Sequence, residues 1–186
     1  MKLIILSAPS GAGKSTIINA LMKKDLKLEF SISACNRAPR VGEKNGVDYY
    51  FISTDEFKSN IKKDAFIEWE EVYENHFYGT FKSEIDRIER KKNHIIFDID
   101  IAGGLNLKQQ FKEQALALFI MPPSVEELER RLKLRATDSE ENILKRVAKA
   151  RQEIALADQF DNIIVNENIE QAIAETENLI RTFLES

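Results

Sequence analysis

The residues Ala8-Pro9-Ser10-Gly11-Ala12-Gly13-Lys14-Ser15 carry the strongest chemical signal in the chain. Their spacing is that of a Walker A loop, with Ala8 in its first position. Gly11 and Gly13 allow backbone turns that a side chain forbids, so successive N–H groups can face phosphate oxygens. Lys14 supplies a cation for the β- and γ-phosphates of a nucleotide, and the Ser15 hydroxyl can join the shell of a Mg²⁺ ion carried on them. Such a loop needs a strand before it and a helix after it. Lys2-Leu3-Ile4-Ile5-Leu6 reads as a short buried parallel strand. Ile17, Ile18, Leu21 and Met22 fall on one helical face, and a helix starting near Lys14 aims its positive end at the phosphates. Nucleotide binding through Ala8 to Thr16 is therefore expected, with any metal arriving on the nucleotide.

Three further groups could do chemistry. Arg37 and Arg40 flank the stiffening Pro39, a fork suited to bidentate capture of a phosphate. On that stretch alone, two solvated surface arginines fit equally well. Asp98 and Asp100 close the apolar run His94-Ile95-Ile96-Phe97, at the strand end where open α/β sheets gather ligands. They suit a hydrated Mg²⁺ or a base edge. A cap on the next helix is the other reading, and the cost of an unpaired charge on a buried strand favours function. Finally, Arg131 and Arg135 lie four apart on one helical face, followed by Lys145, Arg146, Lys149 and Arg151. A charge run is usually a solvated face, but beside a phosphate loop it reads as a mobile cationic cover.

The elements that position these groups alternate strand and helix. Phe30–Ser33 alternates apolar and polar like a half-buried strand, and Ser53-Thr54-Asp55-Glu56 is a capping box opening a helix to about Lys63. Phe66–Glu70 reads as a strand whose acidic residues look, taken alone, like a solvent face. Tyr73–Thr80 reads as an aromatic turn, and Ser83–Lys92 as a helix facing Ile85 and Ile88 inward. Ala115–Met121 is a strand stopped by Pro122-Pro123, and Ser124 opens a helix to about Leu134. A longer helix then carries Ile143, Val147, Ala150 and Ile154 inward. Phe160–Asn166 is the last strand, and Asn168 caps a final helix with a stripe of Ile169, Ala172, Ile173, Leu179, Ile180 and Phe183. The pattern predicts a parallel sheet covered on both faces, interrupted near residues 32–88 and 124–158.

Composition narrows the classes. At 186 residues, with 43% hydrophobic and 31% charged residues, the chain fits one domain with a real core. A formal charge of -4 argues against general nucleic-acid binding. No apolar run approaches a membrane span, and the N-terminal one is too short for a signal peptide. Cys35 stands alone, which fits a reducing cytoplasm. His76 and His94 are far apart, so an imidazole metal site or a Ser-His-Asp triad is not expected.

From Ser31 to Phe51 the sequence resembles the guanylate kinase family of nucleoside monophosphate kinases, whose pattern there is roughly Ser-Val-Ser-x-Thr-Thr-Arg-x-Pro-Arg-x-Gly-Glu-x-x-Gly-x-Asp-Tyr-x-Phe. Phe66-Ile67-Glu68-Trp69, Tyr78-Gly79-Thr80, Asp98-Ile99-Asp100, Arg131-Leu132-x-x-Arg135 and Val165-Asn166 recur in register, so the similarity runs from about Lys2 to Leu184. The chain departs from the pattern at Cys35-Asn36 for Thr-Thr, Ile101-Ala102 for an apolar-Gln pair, Ala136 for Gly and Glu167 for Asp. The resemblance implies an α/β P-loop NTPase core (residues 1–31, 89–123 and 159–186) with its parallel sheet flanked by helices. It implies an inserted mixed α/β GMP-binding region (32–88) and a helical lid (124–158). Ser33, Glu68, Thr80 and Asp100 would read guanine, with Asp98 in the same substrate-binding set. Arg37, Arg40, Tyr49 and Tyr78 would hold the GMP phosphate. Arg131, Arg135 and Arg146 would meet the transferring phosphoryl group together with Lys14 and Arg40, and Asn166 would lie near adenine.

The implied reaction is ATP + GMP ⇌ ADP + GDP, with Mg²⁺ accompanying ATP and dGMP a further candidate acceptor. The acceptor oxygen is already ionised at neutral pH, so alignment and charge neutralisation suffice without a general base. The partners are small molecules, with no nucleic acid and no membrane, and the chain acts as a monomer or homodimer in the cytoplasm. A non-catalytic guanylate-kinase-like module that binds phosphopeptides is the alternative, and the intact Lys14-Ser15 pair and arginine set speak against it. A signalling GTPase would need a second guanine-reading motif and a switch loop, neither of which is evident.

Overall fold

In the computed structural model, which describes residues 1–134 and 139–186, two sheets share one chain. The first is fully parallel and has the order β2-β7-β1-β8-β9. It is built from β1 (Leu3–Ser7), β2 (Leu28–Phe30), β7 (His94–Asp98), β8 (Ala115–Met121) and β9 (Asn162–Val165). β1 lies at its centre, with Leu3 opposite Ile95 on one side and Ala115 on the other. Every residue of β1 is buried because both faces are covered, which is why its sequence runs apolar without alternation. Ile4 and Leu6 pack with Ile17 and Leu21 of α1 (Lys14–Leu21) and Ile180 of α7 (Ile169–Glu185). Leu3 and Ile5 face the other way, toward Phe97, Phe119 and Leu107 of α4 (Ile101–Phe111).

The second sheet is mixed, in the order β4-β3-β6-β5, from β3 (Ala34–Cys35), β4 (Tyr50–Phe51), β5 (Phe66–Tyr73) and β6 (His76–Phe81). Helix α2 (Thr54–Lys62) opens as the capping box requires, the Ser53 hydroxyl accepting from Glu56 N at 3.1 Å. Its Phe57 stacks on Phe66 at 4.5 Å, and Phe66 stacks on Phe81 at 4.5 Å, giving this sheet a small aromatic core of its own. Helix α3 (Lys82–Arg90) returns the chain to the parallel sheet. Helices α5 (Val125–Leu134) and α6 (Glu140–Ile154) pack as a pair beyond β8. α6 buries Ile143, Val147 and Ala150. Among the described residues no helix is long and apolar enough to cross a membrane.

Two local expectations are corrected. The strand expected at Phe30–Ser33 is divided: β2 ends at Phe30 and β3 begins at Ala34. The chain changes sheets between them, so its alternation spans two elements. The stretch expected as an aromatic turn at Tyr73–Thr80 is mostly strand, with the turn confined to Glu74-Asn75 and Asn75 at a φ of 56°. Gly79 hides the strand signal. A side chain there would meet Trp69 Cβ at 2.8 Å, so cross-strand packing, not propensity, selects the residue.

Candidate active site

β1 delivers the chain at Ser7 to a turn that enters α1. Ala12 N donates to the Pro9 carbonyl at 3.1 Å, closing it. Gly11 and Gly13 take φ values of 95° and 101°, which side chains rarely adopt. A side chain on Gly13 would also collide with the Asn166 amide. Gly13 occupies the N-cap of α1 with no side-chain cap and no acidic residue in the first turn among the described residues. The leading N–H groups and the positive helix end are thus left for an anion.

Lys14 reaches the neighbouring strand end. Its Nζ lies 2.5 Å from Asp98 Oδ1 and donates to the Ile99 carbonyl at 2.8 Å. Asp100 is the helix cap that one of its sequence readings expected. Its Oδ1 accepts from Gly103 N at 2.9 Å, capping α4, and it also lines the cleft below the loop. The Ser7 hydroxyl donates to the Asp100 carbonyl at 3.0 Å and ties this corner to β1.

Glu68 is where the local sequence reading fails. It does not lie on a solvent face; it is 6% exposed. β6 pairs it with Thr80, and its Oε2 fills the space a side chain on Gly103 would need, 2.8 Å from that hypothetical atom. Burial pushes the Glu68 carboxyl up to about 7, the Asp100 and Glu70 charges adding and Thr80 opposing. Thr80 Oγ1 is itself buried, close enough to favour that charge yet in no hydrogen bond among the described residues.

Arg37 is held as a rigid unit. Its Nη1 and Nη2 donate to the two Glu43 oxygens at 2.6 and 2.7 Å, and Glu43 also accepts from Arg40 N at 2.7 Å. The Arg37 guanidinium lies 4.9 Å from the Tyr49 ring centre. The fork drives the Glu43 carboxyl down to about 2. Tyr49 and Tyr78 meet edge to face at 6.1 Å, and burial, with the Asp98 charge, pushes the Tyr49 hydroxyl up to about 12.

From the other side, α6 brings Arg146 over the loop, its Nη1 donating to Ser10 Oγ at 3.2 Å. Arg131 instead bonds Glu127 Oε1 at 2.9 Å and the Asn166 carbonyl at 3.0 Å. The Asn166 amide donates to the Ala12 carbonyl at 2.7 Å, bracing the turn from beneath.

One cleft of about 320 Å³ is lined by Ala8 to Gly11, Gly13 to Thr16, Ser33, Arg40, Tyr49, Glu68, Tyr78, Asp98, Asp100 and Arg146. Arg37 lines an adjoining cavity of about 430 Å³ that shares Ser15, Arg40, Tyr49 and Asp98. Ala12, Thr80, Arg131 and Asn166 are among the lining residues of neither cavity, and Arg135 lies outside the described residues. Lys149, expected as part of a cationic cover, also lines the cleft, together with Val72 and Glu153, which sequence reasoning missed. Lys149 Nζ donates to the Val72 carbonyl at 3.3 Å, and burial raises the Glu153 carboxyl against the opposing charge of Lys149. The spacing of Arg146, Lys149 and Glu153 along one helical face was the available signal.

A parallel sheet with a glycine turn feeding the N-terminus of α1, above two aspartates at the adjacent strand end, defines a P-loop NTPase. The guanylate kinase family profile matches residues 1–183. A guanylate kinase of Bacteroides thetaiotaomicron is 50% identical over 183 residues, covering 98% of this chain and 90% of that relative. One of Porphyromonas gingivalis is 48% identical over 184 residues, covering 98% of each. The crystal structure of guanylate kinase from Anaplasma phagocytophilum superposes with a TM-score of 0.80 at 32% identity, covering 97% of this chain and 85% of that one. The chain belongs to the guanylate kinase family.

Proposed function

We propose that this chain transfers the γ-phosphoryl group of ATP to GMP, giving ADP and GDP, reversibly. The observation that carries the proposal is that one cleft is lined both by the Gly-rich loop and by the buried Glu68 carboxylate. Guanine offers N1–H and N2–H₂ donors beside an O6 acceptor. A carboxylate takes both donors, whereas adenine meets it with an acceptor and leaves buried groups unpaired. Glu68 and Asp100 on this reading face the base, with the Ser33 and Thr80 hydroxyls as donors to O6 and Asp98 in the same substrate-binding set. Arg37, Arg40, Tyr49 and Tyr78 hold the GMP phosphate, Arg37 pre-set by Glu43 so that little freedom is lost on binding.

The loop from Ala8 to Thr16 takes the ATP phosphates, and Asn166 keeps that loop in shape. Lys14, Arg40, Arg131, Arg135 and Arg146 neutralise the charge that spreads over the transferring group. The Ser15 hydroxyl lines the cleft at the start of α1 as a hard oxygen donor of the kind that suits Mg²⁺. No group of three His, Cys, Asp or Glu among the described residues would hold a metal unaided, so the ion fits as one carried on the nucleotide with Ser15 as its protein ligand. When bound it screens the phosphate charges. The acceptor oxygen needs no base, and closure of residues 124–158 over the core and of 32–88 toward it keeps water from the γ-phosphate. The cytoplasm, where ATP and GMP are at hand, is the compartment we assign.

ADP production from ATP–Mg²⁺, with GMP, dGMP, AMP, UMP and CMP offered separately, tests the proposal. Turnover with the guanine nucleotides alone is expected. Turnover with another base would overturn the Glu68 assignment, and silence with all five would favour a phosphopeptide-binding module.

A further inference from the structure

Glu84 lies outside both cavities, on α3, yet it is 2% exposed. A buried carboxylate is costly unless its lone pairs are filled, and here each oxygen takes two bonds. Oε1 accepts from the Tyr50 hydroxyl at 2.9 Å and Arg87 Nε at 3.0 Å. Oε2 accepts from Ile32 N at 2.9 Å and Arg87 Nη2 at 2.9 Å. Burial alone would raise this carboxyl, but Arg87, Ile32 and Tyr50 together hold it below the usual range. Arg87 continues the network to Glu29 and to the Phe30 carbonyl on the edge strand of the parallel sheet.

The positions of these partners matter. Ile32 sits where the chain crosses from the parallel sheet to the second sheet, and Ser31 N is fixed to the Ile96 carbonyl at 3.0 Å just before it. Ile32 precedes Ser33, and Tyr50 follows Tyr49, and both of those neighbours line the cleft. Tyr50 N also donates to the Ser33 carbonyl at 2.9 Å, so the two segments form one unit. Glu84 grips that unit at two points and anchors it, through Arg87, to the sheet that carries the phosphate loop.

We propose that Glu84 is a positioning residue for the acceptor nucleotide, fixing Ser33 and Tyr49 relative to the phosphate loop by clamping Ile32 and Tyr50. The proposal rests on the reading of this cleft as the GMP site. Replacing the carboxylate by an amide turns one end of the clamp into a donor that faces other donors. Removing the Tyr50 hydroxyl releases one grip only.

The test compares Glu84→Gln and Tyr50→Phe with the wild type. Initial rates give kcat and both KM values, and hydrogen exchange follows the Ile32 and Tyr50 amides. Glu84→Gln is expected to raise KM for GMP by ~10-fold or more, with KM for ATP and kcat within about twofold, and to speed exchange at both amides. Tyr50→Phe, which keeps the ring and leaves Ile32 bonded, should raise KM for GMP by about threefold. Should Glu84→Gln fail to fold, that second variant still decides, because an unchanged KM for GMP in Tyr50→Phe overturns the clamp. Faster exchange with an unchanged KM for GMP, or equal losses in both KM values and kcat, would make Glu84 merely structural and overturn the proposal. A wild type silent with GMP would overturn the function and this role with it, whereas an active wild type matched by both variants overturns only this role.

Discussion

Glu68→Gln should separate activity from stability in opposite directions. The carboxyl titrates at about 7 in the folded protein against an ordinary 4.5, chiefly because burial penalises its charge. Between those values the native state holds the proton more tightly than the unfolded chain. Stability therefore falls as pH rises through this window, and the penalty is complete above about pH 7. A shift of this size corresponds to about 3 kcal/mol, with little discount for a group only 6% exposed. The amide removes that penalty but leaves a neutral polar group imperfectly bonded, at a cost of ~1 kcal/mol. The variant should gain about 2 kcal/mol, some 5 °C in Tm, near pH 8, and the gain should vanish toward about pH 4.5. Activity should move the other way. Replacing a charged double acceptor by a neutral single one loses ~3–4 kcal/mol toward guanine, or about 10²–10³-fold in kcat/KM for GMP. Thermal unfolding across pH, paired with initial rates, checks both halves. The wild-type kcat/KM for GMP should fall about tenfold per unit below about pH 7, beyond the limb near 6 set by the phosphate of GMP itself. The variant should keep only the limb of the substrate. Equal Tm values at both pH extremes, or a variant with wild-type kcat/KM, would refute the argument that a desolvated carboxylate reads the base.

Lys14→Met should abolish turnover, lowering kcat by ~10³-fold or more, because it removes the cation and leaves Asp98 without its 2.5 Å partner. Circular dichroism should show the fold intact, and retained kcat would remove the loop from the mechanism. Asn166→Ala should cost about 1–3 kcal/mol in chemical denaturation, since the buried Ala12 carbonyl loses its 2.7 Å donor, and should raise KM for ATP more than KM for GMP. Equal changes in the two KM values would refute the bracing role. Arg135→Ala should lower kcat by ~10²-fold or more while nucleotide affinity, measured by calorimetry, changes little. The reverse pattern would make it a binding residue only.

Much of this architecture is local in origin, which is why it could be read from the chain. The glycines at 11 and 13, the capping serines at 53 and 124 and the unbroken apolar runs of β1 and β8 each act over a few residues. The split of Phe30–Ser33 between two sheets is not local. Neither is the strand His76–Phe81, because both depend on which partner strand arrives. The same holds for the side chains of the cleft. Arg37 looked equally like a surface arginine until Glu43 and the Tyr49 ring were brought against it. Glu153 gave no isolated signal, since only the packing of α6 turns it toward Lys14 and Asp100.

Glu68 shows why burial in particular escapes a reading of spacing. The pairing of its strand with β6 shifts register between Phe66 and Glu68, which no local spacing announces, and nothing in Phe66-Ile67-Glu68-Trp69-Glu70 distinguishes Glu68 from the half-exposed Glu70. The difference is made by Gly103, whose missing side chain leaves room for Glu68 Oε2 at the start of α4, and by Thr80 across the hairpin. An alanine at 103 would bring a methyl to 2.8 Å of both that oxygen and the Ile99 side chain, so these groups would have to shift. A glycine in the first turn of a helix forgoes about 1 kcal/mol of helix propensity relative to alanine. Packing against the buried Ile99 accounts for part of that sacrifice, but the desolvation of Glu68 brings no stability of its own. Both follow if the corner between β5 and α4 is shaped to present one dehydrated carboxylate to a ligand with donors to match.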